Sequence, residues 1–301
     1  MSRWDGKSKG TVFGYRIFVF FIKKAGIISA YFILYFVAGY YYLFLTKNNR
    51  SISYYFRKRL SYSWFQTQVM IYRSYYTFGQ VLIDKLSIAA GMRNQFTFEF
   101  DGIAVLKGLL ANKKGGVLIS AHMGNFAIAE HFLGEIDVDF RVNMVVTDLE
   151  HTDIKAYLDS IGPKTSMQFI IIKEDLTHIF DINAALARNE LVCFTGDRYF
   201  KEVKSLSAVF LGKMANFPAG PFRIASRLQV PVVFVYVMKE PHMHYHLYAR
   251  EANVKHRDEQ GLLQAYTESV ASMVRKYPLQ WFNYFDFWNA FDEETTKTSK
   301  L

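Results

Sequence analysis

Three short segments gather the side chains able to do acid–base or anion chemistry. They are Ser120-Ala121-His122-Met123-Gly124-Asn125-Phe126, Thr195-Gly196-Asp197-Arg198 and Phe217-Pro218-Ala219-Gly220-Pro221-Phe222-Arg223. In the first, the apolar run Val117–His122 ends in a histidine. An imidazole at the carboxyl end of a strand is placed to act as general base on a hydroxyl. If Gly124 and Asn125 open a helix, their N–H groups would receive an oxyanion. The plain alternative is a structural histidine at a helix cap. In the second segment, Arg198 would clamp a phosphate in two-pronged fashion with Asp197 orienting it, or the two would form an ordinary salt bridge. In the third, a glycine between two prolines makes a stiff loop that lines a pocket or simply turns the chain.

Two other features offer less. His242, His244 and His246 alternate with Met243 and Tyr245, which on a strand puts all three on one side. No fourth ligand stands at a recognisable spacing, so solvated histidines are expected rather than a metal site. Cys193, the single cysteine, lies in an apolar run with no nearby charge and reads as a buried inert thiol.

The elements that must position these residues alternate. Phe96, Phe98 and Phe100 are spaced as in a half-buried strand, with Asp101 available to cap the next helix, whose inner side carries Val105, Leu106, Leu109 and Leu110. Lys113-Lys114-Gly115-Gly116 stops that helix, and a buried strand follows at Val117–His122. Further strand-like runs fall at Arg141–Thr147, Phe169–Ile172, Leu191–Phe194, Val232–Met238 and Tyr245–Arg250. Helical faces lie between them, one with Leu176, Ile179, Phe180 and Leu186, another with Leu263, Tyr266, Val270 and Val274. This pattern predicts an α/β fold, a central and mostly parallel sheet flanked by helices.

Ahead of this domain, Ala25–Leu45 runs for 21 residues without a charge. At about 1.5 Å per residue it matches a bilayer core of about 30 Å. Its length and the lack of a small-residue cleavage site read as a retained anchor rather than a leader. Basic residues stand at similar density on both sides, so orientation is open, and a helix lying in one leaflet fits as well as a span. Between Ser51 and Gly91, Arg57, Lys58, Arg59 and Arg73 interleave with Tyr54, Trp64, Tyr72 and Tyr75, as in an interfacial helix on anionic lipid. The expected organisation is residues 1–91 as membrane anchor and interfacial helices, and 92–301 as the α/β domain.

Composition narrows the class. Hydrophobic residues make up 51% of the 301 and charged residues 21%, which excludes wholesale disorder, and one cysteine excludes an internal disulfide framework. A formal net charge of +9 suits anionic lipid, an acidic carrier protein or nucleic acid, but no nucleic-acid motif accompanies it.

The segment SAHMGNF, the GDR triplet, FPAGPFRIASRLQVPVV and the C-terminal YPLQWFNYF (Tyr277–Phe285) occur in order over about Phe96 to Trp288. Together they resemble the lysophospholipid acyltransferase superfamily in its lipid A late-acyltransferase-like branch, most closely the acyltransferases that accompany aryl-polyene and flexirubin pigment clusters. The resemblance implies transfer of a fatty acyl group from acyl-carrier protein or coenzyme A to a hydroxyl or amine of a lipid acceptor, with no metal and no cofactor. It implies His122 as general base, and a pocket lined by Gly124, Asn125, Arg198, Phe217, Gly220 and Arg223. It also implies a bacterial inner membrane location with the catalytic domain facing the cytoplasm. One position departs from the family pattern: the acid expected five residues after the histidine is Ala127. Glu130, one turn later, or Asp197, from another strand, would take its place. Ala127 also supports a rival, a catalytically silent lipid- or carrier-binding scaffold. A basic membrane-associated nucleic-acid binder is the second rival.

Overall fold

A computed structural model describes residues 12–133, 141–146, 167–173, 175–198, 204–253 and 255–288, apart from the side chains of residues 12–18, 130 and 133. The chain opens with helices α1 (Val12–Phe44) and α2 (Thr46–Tyr54), a π-helical turn at Tyr55–Arg59, and α3 (Trp64–Ala89). Ser63 and Gln66 start α3 with a reciprocal capping box, which satisfies two otherwise open N–H groups. The described elements that follow are β1 (Thr97–Asp101), α4 (Ile103–Ala111), β2 (Gly116–Ser120), α5 (Ala129–Leu133), β3 (Val142–Val146), β4 (Gln168–Ile171), α6 (His178–Ala187), β5 (Leu191–Thr195), β6 (Ser205–Phe210), β7 (Lys213–Pro218), α7 (Ala219–Arg227), β8 (Val232–Glu240), β9 (His244–Glu251) and α8 (Glu259–Lys276).

Seven strands form one sheet in the order β1-β9-β8-β2-β5-β3-β4, parallel throughout except where β8 meets β9. β6 and β7 make a separate antiparallel hairpin. This is the α/β class expected from the alternating pattern. The central strand β2 is buried at every position, which is why its sequence reads as an unbroken apolar run rather than an alternating one. α8 buries Leu263, Tyr266, Val270 and Val274, the face that its spacing predicts.

Some local expectations change. Asp101 does not cap α4: Gly102 precedes that helix in a left-handed conformation (φ +95°), and Asp101 pairs instead with Arg250. Phe180 and Leu176 face outward, while α6 turns Ile182, Ala185 and Leu186 inward. The Pro-Ala-Gly-Pro stretch is not a loop. Pro218 ends β7 and Ala219-Gly220-Pro221 form the first turn of α7, where a proline's missing N–H costs nothing because that N–H has no intrahelical partner. Thr147 lies outside the described residues.

The N-terminal helices are packed on the sheet as part of its core. Val19, Ile22, Ile27, Ala30 and Leu34 of α1 join Ile83, Leu86 and Ile88 of α3 and Val235, Val237, Tyr245 and Leu247 of the sheet in one apolar cluster. α1 and α3 run antiparallel, pinned by Tyr72 Oη donating to the Tyr35 carbonyl (3.1 Å) and Tyr42 Oη to Gln68 (3.0 Å). At Gly79 an added Cβ would lie 2.3 Å from Leu34 Cδ1, so this glycine lets the Leu34 side chain lie close against α3.

Beneath this hairpin sits a buried polar cluster. Asp84 of α3 accepts from Lys239 Nζ at 2.6 Å, from Tyr245 Oη at 2.5 Å and from Tyr31 Oη. Every partner charge and hydroxyl is matched, the condition under which a buried ion pair is tolerated.

Candidate active site

The parallel register of β2 and β5 places Ser120 opposite Thr195. Two residues beyond each strand come His122 and Asp197, so the sheet itself brings the histidine and the acid together at its carboxyl edge. His122 Nδ1 lies 2.6 Å from Asp197 Oδ1, and the His122 N–H donates to Asp197 Oδ2 at 2.9 Å. The carboxylate grips both the ring and the backbone of one residue. It is 1% exposed, whereas the His122 side chain is 26% exposed.

Two further donors reach the same oxygen. Trp281 Nε1 donates to Asp197 Oδ2 at 3.0 Å and Asn283 Nδ2 at 3.3 Å. Burial by itself would raise the Asp197 pKa. The adjacent His122 charge, the hydrogen bonds from His122 and the Arg198 guanidinium outweigh it, and the carboxyl is held below its ordinary value. Arg198 is itself pushed down to about 10 by burial, opposed by Asp197, and stays cationic at neutral pH.

The loop carrying His122 is held on three sides. From the C-terminal segment, Gln280 O accepts the Gly124 N–H (3.0 Å) and the Phe282 N–H donates to His122 O (2.9 Å). From β8, Val237 O accepts the Asn125 N–H at 2.7 Å. From α3, Val81 O accepts from Asn125 Nδ2 at 3.0 Å. Gly124 has φ +56°, and a Cβ there would fall 2.0 Å from Val237 O, so only glycine fits this turn. Underneath, Tyr266 Oη and the Gly196 N–H both donate to Ser120 O at 3.0 Å.

These contacts sort the expected site residues. His122 and Asp197 meet, and Arg198 stands half-buried beside them. Gly124 and Asn125 are corrected as oxyanion donors: both N–H groups are engaged by backbone carbonyls, and the buried Asn125 side chain ties the loop to α3. Arg223, expected to line the pocket, is held by α8. Its guanidinium makes a two-pronged pair with Glu259, 2.9 Å from Nε to Oε2 and 3.1 Å from Nη2 to Oε1, fastening α7 to α8. Phe217 is buried among Phe210, Tyr266 and Phe287, and Gly220 stands in the first turn of α7 with open space where a Cβ would be. Glu130 belongs to α5, but its side chain lies outside those described.

The three histidines come together at one open pocket, with Thr97, Glu99, Glu240 and Pro241. His242 sits in a turn with φ +57°, and only His244 and His246 belong to β9, beside Thr97 (2.8 Å) and Glu99 (3.8 Å). Cys193 is buried in β5 with its thiol pushed up by burial.

Trp281 and Asn283 are the residues that local reading misses. Their signal was a buried-looking aromatic run with two polar handles, since an indole N–H in a core needs an acceptor. Nothing in the run says that the acceptor is an aspartate 84 residues away.

Residues 10–288 match the family model for bacterial lipid A biosynthesis acyltransferases. The chain belongs to this family. No match is found among curated proteins. Membership covers the N-terminal helices as well as the α/β domain, and the activity of the family is acyl transfer in lipid A biosynthesis.

Proposed function

We propose that this protein transfers a fatty acyl group from a thioester donor, acyl-carrier protein or acyl-coenzyme A, to a hydroxyl or amine of a lipid acceptor, with His122 as general base and Asp197 as its orienting acid. The observation that carries the reading is the 2.6 Å contact between His122 Nδ1 and Asp197 Oδ1. With Nδ1 on the carboxylate, Nε2 takes the acceptor's proton while the acceptor oxygen or nitrogen attacks the thioester carbonyl carbon. The C–S bond then breaks, the thiolate takes the proton from the imidazolium, and an ester or amide and a free thiol leave. Arg198 lines the pocket beside the pair. The His122–Asp197 contact supports Asp197 as the acid in place of Ala127, and favours an active enzyme over a silent scaffold. The reaction needs no metal or cofactor. We place the work at the cytoplasmic face of a bacterial inner membrane.

The test is lipid mass spectrometry of cells lacking the protein and re-expressing wild type, His122→Ala, Asp197→Asn or Glu130→Gln. One acylated lipid should vanish and return with wild type and Glu130→Gln only. Its return with His122→Ala would overturn catalysis at this site. Its loss with Glu130→Gln alone would move the orienting role to Glu130. Purified enzyme offered acyl-carrier protein or acyl-coenzyme A separately then assigns the donor.

A further inference from the structure

The chain's positive charge is segregated. Residues 12–91 hold ten Lys and Arg against one carboxylate, Asp84, an excess equal to the +9 of the whole chain. Residues 92–301 hold 23 Lys and Arg against 25 Asp and Glu. Asp84 is buried and already paired with Lys239, so it neutralises none of the surface cations. Lys23, Lys24, Lys47, Arg50, Arg57 and Lys58 are exposed, and none makes an ion pair with a described carboxylate.

The same elements expose apolar surface. While α1 turns Val19, Ile22, Ile27, Ala30, Leu34 and Ala38 inward, it leaves Phe20, Ile28, Phe32, Phe36, Leu43 and Phe44 outward. At the far end of the hairpin Trp64 and Phe65 open α3, 53% and 76% exposed. Lys23 and Lys24 stand toward one end of the apolar face of α1. Lys47 and Arg50 on α2, with Arg57 and Lys58 on the π-helical turn, stand at the other. Cations beside exposed tryptophan and phenylalanine match the headgroup level of an anionic leaflet.

Length permits two placements, because the apolar stretch Val19–Phe44 has 26 residues, enough to cross. Attachment decides between them. Val19 to Ala38 is fastened along one side to α3, and over most of that length to the sheet core as well, so a crossing helix would carry the Asp84–Lys239 cluster and sheet residues into the hydrocarbon. We infer that the α1–α3 hairpin lies in the plane of one leaflet as a monotopic, anionic-lipid-binding face, with its cations on headgroup phosphates and its outer side chains among the acyl chains. This deepens the membrane reading above: it names the lipid charge and excludes a span.

The test uses the full-length protein and flotation with vesicles of phosphatidylcholine, alone or with phosphatidylglycerol. Binding should require phosphatidylglycerol and weaken steeply with salt. The variant Lys47→Gln/Arg50→Gln/Arg57→Gln/Lys58→Gln should lose at least tenfold, since each surface cation is worth about fivefold. Trp64→Ala/Phe65→Ala should weaken binding to the phosphatidylglycerol vesicles by a factor that does not change with salt, because the lost contribution is apolar. Tags at the two ends of the chain should be cleaved by protease from the same side of a membrane vesicle. Equal binding to neutral vesicles, or tags on opposite sides, would overturn the inference. So would a quadruple variant that keeps vesicle binding but loses an acidic carrier protein. None of these readouts is acyl transfer, so a failed membrane inference and a failed catalytic reading are told apart by assaying the quadruple variant in detergent, where turnover should stay at the wild-type level.

Discussion

Asp84 and Asp197 are both sealed from solvent, at 0% and 1% exposure, yet their surroundings prepare them for different work. Asp84 meets a lysine ammonium and two tyrosine hydroxyls, so its charge is cancelled and its oxygens are filled from α1, β8 and β9. Asp197 meets an imidazole, its own histidine's backbone N–H, an indole and an amide. The first set holds two layers of the molecule together. The second fixes one ring that still reaches solvent. A buried carboxylate is therefore a staple or an orienting acid according to whether its partner has an exposed side left for chemistry.

The comparison breaks most sharply at the histidine. His122→Ala should lower acyl transfer by about 10²–10⁴, measured on protein shown to be folded. A variant that folds and retains full turnover would end the distinction between the two aspartates. Asp197→Asn should follow closely, about 10²-fold or more in kcat with little change in KM, since the base loses its orientation and not its substrate. The acid-stability profile tests the same carboxyl. Because its folded pKa is depressed, its contribution is present above the unfolded carboxylate value of about 4 and is lost as pH falls through the folded value. Chemical denaturation between pH 6 and pH 3 should show this loss in wild type and a flatter profile in Asp197→Asn.

Asp84 should behave in the opposite way. Asp84→Asn or Lys239→Met alone leaves an unmatched buried charge and should cost about 3–5 kcal/mol of stability. The double variant should recover much of it, and protein that remains folded should keep wild-type pH dependence. A shift of the pH–rate profile would show that this cluster also tunes the site. Trp281→Phe removes one of four donors to Asp197 and should cost about 1.5–3 kcal/mol, read as a drop of roughly tenfold or more in kcat. Smallest is Arg223→Gln. Its pair with Glu259 is about one-third exposed, and its loss should cost under about 1 kcal/mol and leave KM for either donor unchanged. A large rise in KM would return Arg223 to the pocket.

The amino-acid sequence by itself determined the alternating pattern of buried strands and amphipathic helices, because burial on both faces leaves an unbroken apolar run and burial on one face leaves a period. It also determined that a histidine and an aspartate each follow a buried strand, and that the N-terminal helix is apolar enough to meet lipid. Only the tertiary structure decided that β2 and β5 are neighbours in register, which brings Asp197 rather than a residue five steps along the chain onto His122. It alone decided that the Gly124 and Asn125 N–H groups are spent on Gln280 and Val237, that Arg223 belongs to Glu259, and that Trp281 and Asn283 close over the carboxylate. Strand burial and helix faces are periodicities of a few residues, legible in any window of the chain. A hydrogen bond between residues 75 or 84 positions apart depends on which strands pair and where the chain returns, and the free energy that settles this is spread over the whole core rather than written beside either partner.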